Sequence, residues 1–217
     1  MESCSQKSSE KNLVDSIYQI LRNRIIKNEL SAEKIVSIAA LSQELNVSRT
    51  PVHNACQRLE CEGFLTIMPK QGVFIKPITI MNARDTYELR VAIETYAFKK
   101  AFNNFTDDDI LYLEETCKKQ KQFLESNDMV AFLNSNTDFH RFIVSKYKNT
   151  QSLSIMDTLY ARAFQIAFKL TSYGPRVQNS YLEHLQIIEF IRNKDLEGGL
   201  QAIENNIMNG YVCLTER

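Results

Sequence analysis

Two sets of side chains in this sequence have the types needed to act on another molecule. The first is compact. Ser48, Arg49, Thr50 and His53 open a helix-like stretch, SRTPVHNACQRLECEGF, and Arg58 lies further along it. Hydroxyl, guanidinium and imidazole groups at the start of a helix suit the phosphates and base edges of a DNA major groove. The second set is dispersed. Arg90 interrupts an apolar run (Leu89, Val91, Ile93), and His140 and His184 are the two other histidines of the three in the chain. A guanidinium inside an apolar helix can clamp a carboxylate or pair with Glu94 one turn on; the spacing allows both. Arg162, in TLYARAFQIAF, is a second arginine of this kind. Imidazole is the commonest metal ligand among side chains.

The elements that position the first set are legible. LSQEL at 41–45 is the end of a short helix with Leu41 and Leu45 on one face, Asn46-Val47 is a tight turn, and Ser48 occupies an N-cap position. Proline at 51 suits the first turn, where its missing N–H costs little. The second helix runs to Glu62 and stops at Gly63. Beyond it the period changes: Phe64–Met68 and Val73–Lys76 flank Pro69-Lys70-Gln71-Gly72, a hairpin signature. After two helices around a turn, such a hairpin reads as a wing, with Lys70, Gln71 and Gly72 at a tip that can approach DNA; a plain surface hairpin is the alternative. Upstream, Leu13–Lys27 is a first helix through Leu13, Ile17, Ile20, Leu21 and Ile25, and Ile35–Val36 is a short extended piece. Arg22, Arg24 and Lys27 near the end of that helix suit its dipole or a phosphate.

Pro77-Ile78-Thr79 reads as a hinge, giving a polar tail at 1–11, a DNA-binding domain at 12–77, a linker at 78–80 and a second domain at 81–217. That second domain shows helical spacing over 81–102, 106–125, 128–147, 150–171, 176–193 and 195–215, an antiparallel bundle of six or seven helices. Thr106 with three aspartates after it, and Asp128, are good helix starts. The fold class is therefore mainly α.

Composition narrows the function. Apolar residues make up 44%, enough for true cores, and the formal net charge is zero. Residues 1–80 carry ten Lys and Arg against eight Asp and Glu, a balance of only +2, so charge supports DNA binding weakly and the motif carries it. Five cysteines without a CxxC pair suit thiols in a reducing cytoplasm. No long apolar run spans a membrane. No Ser-His-Asp, HExxH or Cys-His pattern supports an enzyme; a metal-dependent enzyme on the helical domain, or a degenerate protein-interaction module, is the alternative reading.

The stretch SRTPVHNACQRLECEGFL resembles the signature of the GntR family of bacterial transcription regulators, whose members read close to VSRTPVREALRRLEAEGL. Arg49 matches a DNA-contact arginine, and His53 stands where a second arginine is usual. The segments at 87–102, 139–153 and 181–203 resemble the helical effector domain of the FadR subfamily. The resemblance implies a homodimer that binds a palindromic operator, as a repressor, and senses a small metabolite, an organic acid, through Arg90, His140, His184 and Asn206. It also implies a divalent metal (zinc, nickel or manganese) at Asn136, His140, His184 and Asn206. Asn136 and His140 are four apart on one helix face, but the two asparagines replace a common aspartate and a usual histidine, and neutral amides bind transition metals weakly. Retained metal and direct contact between histidines and effector both remain open.

Overall fold

Apolar residues at helical spacing bury one side of α1 (Glu2–Ile26), where Ile17, Tyr18, Leu21, Ile25 and Ile26 turn inward. Leu13 and Ile20, expected on that face, are exposed. The computed structural model describes residues 2–27, 29–30, 34–170 and 174–215, in two units that divide between Ile78 and Thr79. Helix α1 takes in residues 2–11, read from sequence as a tail. That stretch is polar but has no glycine or proline, and polarity argues against burial rather than against helix.

In the first unit, β1 (Ile35–Val36) leads to α2 (Ile38–Glu44), capped by Ser37, whose Oγ accepts from the Ala40 N–H. Asn46, at φ 52°, turns the chain into α3 (Arg49–Cys61). Ser48 has extended N-cap geometry, but its hydroxyl makes no capping bond, contrary to the expectation for that position. Val52, Ala55, Cys56 and Leu59 of α3 are buried, and α3 packs on α1. Gly63 ends the helix at φ 79°, letting the Phe64 N–H reach the Leu59 carbonyl at 2.9 Å. Strands β2 (Leu65–Met68) and β3 (Gly72–Ile75) form the hairpin, and β1 pairs antiparallel with the outer edge of β3, giving the order β1-β3-β2. Arg24 is ion-paired with Glu44 at 3.0 Å, so this arginine joins α1 to α2.

The second unit contains α4 (Ile80–Ala101), a 3-10 turn (Phe102–Asn104), α5 (Asp107–Glu125), α6 (Met129–Ser145), α7 (Thr150–Leu170), α8 (Gly174–Arg192) and α9 (Leu196–Thr215). The expected caps form. Thr106 and Asp109 make a reciprocal capping box on α5, and Asp128 accepts from the Ala131 N–H at the start of α6. Thr79 caps α4 in the same way. Helix α4 is the centre of the bundle, packed against α6, α7 and α9, while α5 closes the far side on α6 and α8. Phe98, Phe132 and Phe139 are among its largest fully buried side chains. The end expected for α7 at Thr171 lies outside the described residues.

Candidate functional site

The first unit brings Arg49, Thr50 and His53 of α3 together with Lys70, Gln71 and Gly72 of the hairpin. They line one groove of about 610 Å3, floored by Ser37, Ile38 and Ala39. Arg49, Thr50 and Lys70 are exposed, and no acidic side chain lines the groove among the described residues. An open, cationic trough between a helix start and a hairpin tip suits a nucleic-acid backbone. Two expected members sit elsewhere. Ser48 is exposed but does not line the groove. Arg58 turns toward α1, where it pairs with Asp15 and covers the ring of Tyr18 at 4.1 Å. Tyr18 in turn donates to Glu62 at 2.8 Å; burial first, then Glu62, push its phenol well above the ordinary range. Gly72 is needed for a different reason from the one its place at the tip suggested. At φ 135° it pairs with Met68, and a Cβ there would stand 2.3 Å from the Val36 carbonyl oxygen, so the third strand demands the glycine.

In the second unit, buried polar side chains from four helices join end to end. Arg90 donates through Nε to Glu94 Oε1 at 2.8 Å, and Glu94 Oε2 lies 2.7 Å from His140 Nδ1. His140 Nε2 faces His184 Nε2 at 3.3 Å, and His184 Nδ1 lies 2.9 Å from Gln120 Oε1. All five are buried. Phe139 stacks on the His184 ring with centroids 4.0 Å apart. Each Nδ1 faces an oxygen and so carries a hydrogen, which leaves two facing Nε2 atoms that need one hydrogen between them. Burial, then the charges at His140, Arg176 and Arg90, hold His184 well below the usual imidazole range. Burial raises the Glu94 carboxyl, but Arg90 and His140 outweigh it and the net direction is down.

Beside this chain lies a cavity of about 90 Å3 lined by Tyr87, Arg90, Asn136, His140, Arg176 and Asn206, among others. Of the expected effector contacts, Arg90, His140 and Asn206 line it. His184 does not; it stands behind His140. Arg162 lines neither this cavity nor its smaller neighbour. Arg90 fulfils both readings of its spacing, since it pairs with Glu94 and borders the cavity. Sequence reasoning missed Arg176, which donates to Glu183 at 3.0 Å and to the Asn206 carbonyl at 2.8 Å. Asn206 also gives its amide to Glu183 at 2.7 Å. The signal available for Glu183 was its place beside His184; Gln120 had none.

The donor set bears on the implied metal. Two Nε2 atoms 3.3 Å apart match imidazoles around one ion at roughly 2.1 Å each, and both rings have outer oxygen partners. The rest does not fit. Asn136 Oδ1 accepts from Ser180 at 3.2 Å, Asn206 is engaged by Glu183, and the carboxylates of Glu94 and Glu183 are held by Arg90 and Arg176. Asp138 is exposed. Among the described residues no three His, Cys, Asp or Glu side chains are placed to share an ion. Two imidazoles with neutral amides, beside a cavity bordered by two guanidinium groups, are a poor set for a resident cation.

The model of the bacterial regulatory proteins of the gntR family matches residues 13–75, and that of the FCD domain matches residues 85–208. The chain belongs to the GntR family, with an FCD domain as its helical unit. Among curated relatives, the HTH-type transcriptional repressor RspR of Escherichia coli is 23% identical over 191 residues, 88% of this chain and 84% of that protein. The Nta operon transcriptional regulator of Aminobacter aminovorans is 32% identical over 156 residues, 71% of each. The solved structure of E. coli McbR/YncC shares the fold of this GntR protein at a TM-score of 0.80 and 20% identity, covering 94% of this chain and 97% of that one. These relatives are transcription regulators, so this GntR chain is a DNA-binding regulator rather than an enzyme. No helix among the described residues is long and apolar enough to cross a membrane.

Proposed function

We propose that this GntR protein is a homodimeric repressor whose FCD unit senses a small organic acid without a resident metal. The observation that carries the reading is the cavity itself, small and bordered by Arg90 and Arg176. Two cations beside an apolar wall suit a short carboxylate. The repressor sense is supported by the name of RspR. Dimerisation is supported by apolar side chains left on the surface of the helical unit, among them Met81, Leu89 and Tyr96 of α4 and Leu111 of α5. Two grooves of the kind lined by Arg49 and Lys70, related by a two-fold axis, would read a palindrome. A ligand that prefers one arrangement of the dimer shifts the population that can engage DNA.

Fluorescence anisotropy on DNA from upstream of the gene, against a scrambled duplex of equal length at physiological salt, tests the core of this reading. Preference for the upstream duplex, together with a dimer mass by sedimentation, is the expected result. Equal affinity for both duplexes would sink it.

A further inference from the structure

This inference rests on the FCD cavity being the sensor site and deepens that reading. Arg90 spends Nε on Glu94, and its two terminal nitrogens find no protein acceptor among the described residues. Arg90 borders both the main cavity and a smaller one of about 40 Å3, which Tyr160, Asn136 and Thr137 also line. That space is sufficient for two or three water-sized groups, such as the atoms of one carboxylate. Tyr160 is 3% exposed, its ring lies 5.3 Å from the Arg90 Cζ, and its hydroxyl has no hydrogen-bond partner among the described residues. A buried hydroxyl without a partner costs stability, and a folded protein that keeps one has a use for it. Arg90 offers only hydrogens and the hydroxyl has one of its own to give, so a group that accepts from both satisfies them together.

We propose that Arg90 and Tyr160 together hold one carboxylate group of the effector in the smaller cavity, with the remainder of the molecule extending toward Arg176. Tyr160 is then a specificity residue: a carboxylate accepts from both donors, whereas an amide turns its own N–H groups toward one of them. Burial, then the nearby Glu94, push the phenol well above its usual range despite Arg90, which keeps the hydroxyl a donor. No metal takes part.

The experiment uses the whole two-unit chain in excess EDTA with a panel of acetate, lactate, malonate, succinate and glutarate, each beside its amide. Thermal shift comes first and calorimetry second. At least one acid binds and its amide does not. Tyr160→Phe, which removes only the unpartnered hydroxyl, melts at or above the wild-type temperature without ligand, yet binds that acid about tenfold or more weakly, as loss of a hydrogen bond to a charged group dictates. An acid that binds wild type and Tyr160→Phe equally overturns the subsite and leaves the sensor reading standing. Silence of the wild type toward the whole panel overturns the anion cavity itself, and the subsite with it.

Discussion

Arg49 and Lys70 line the same groove, and on the proposed reading each offers a charge to the DNA backbone. Arg49→Ala is expected to weaken operator binding and to lower the slope of log affinity against log salt by about one per site. A slope unchanged in an anisotropy titration would place Arg49 outside the DNA contact. His53 lines the groove as well, and His53→Arg is expected to alter base preference at one position per half-site, read by selection from random duplexes. Gly72→Ala belongs to the same scale but acts on the fold. The new methyl meets Val36 at a φ that L-residues avoid, so a loss of about 2 kcal/mol or more in a denaturant melt follows. The motif made Arg49 and His53 legible. The need for Gly72 was not, because β1 lies more than thirty residues earlier and nothing local reveals that it pairs with β3.

Helices α4, α5, α6 and α8 meet at the buried run from Arg90 to Gln120, and its titration couples their packing to pH. His184 has a folded pKa below its unfolded value near 6.5, so the unfolded chain binds more protons and stability is present above that pH. It is lost as pH falls from 6.5 through the folded value. Glu94 has the same sign below its ordinary 4.5, its depressed value deferring the loss to lower pH. Melting temperature should therefore be flat above pH 7 and fall in two stages on acidification, with the upper stage absent in His184→Gln. A melt independent of pH between 7 and 5 in the wild type would show that His184 does not titrate as its burial requires. At this scale the caps and helix periods were legible from Thr106, Asp109 and Asp128 themselves. The partners of His140 and His184 were not, since a helical period tells which side of a helix is buried and not which neighbour it meets.

For the whole protein, His140 borders the cavity with Asn136 and Asn206, two amides where stronger donors would complete a site, and His184 faces His140 from behind, Nε2 to Nε2. Asn136→Asp with Asn206→His supplies a carboxylate and a third imidazole. The doubly substituted protein is expected to hold close to one equivalent of zinc or nickel per chain after dialysis, by plasma mass spectrometry, where the wild type retains far less. Equal metal in both proteins would mean the native amides suffice. The substitution also frees Glu183 from Asn206, so the folded state should be checked by its melt.

By itself, the sequence determined the reader head, the hairpin after it, the run of capped helices and the family, because caps, turns and periodicity are local and the signature is contiguous. It also marked Arg90, His140 and Asn206, which reach one cavity. Only the tertiary structure decided that Arg58 pairs with Asp15 rather than joining the groove. The same holds for the Arg176–Glu183 pair that engages Asn206, and for the Tyr160 hydroxyl, which has no hydrogen-bond partner among the described residues although Arg90 lies over its ring. Those outcomes depend on how helices distant in the chain pack, and packing selects each buried group's neighbour through shape and unpaired hydrogen bonds that no stretch of sequence displays alone.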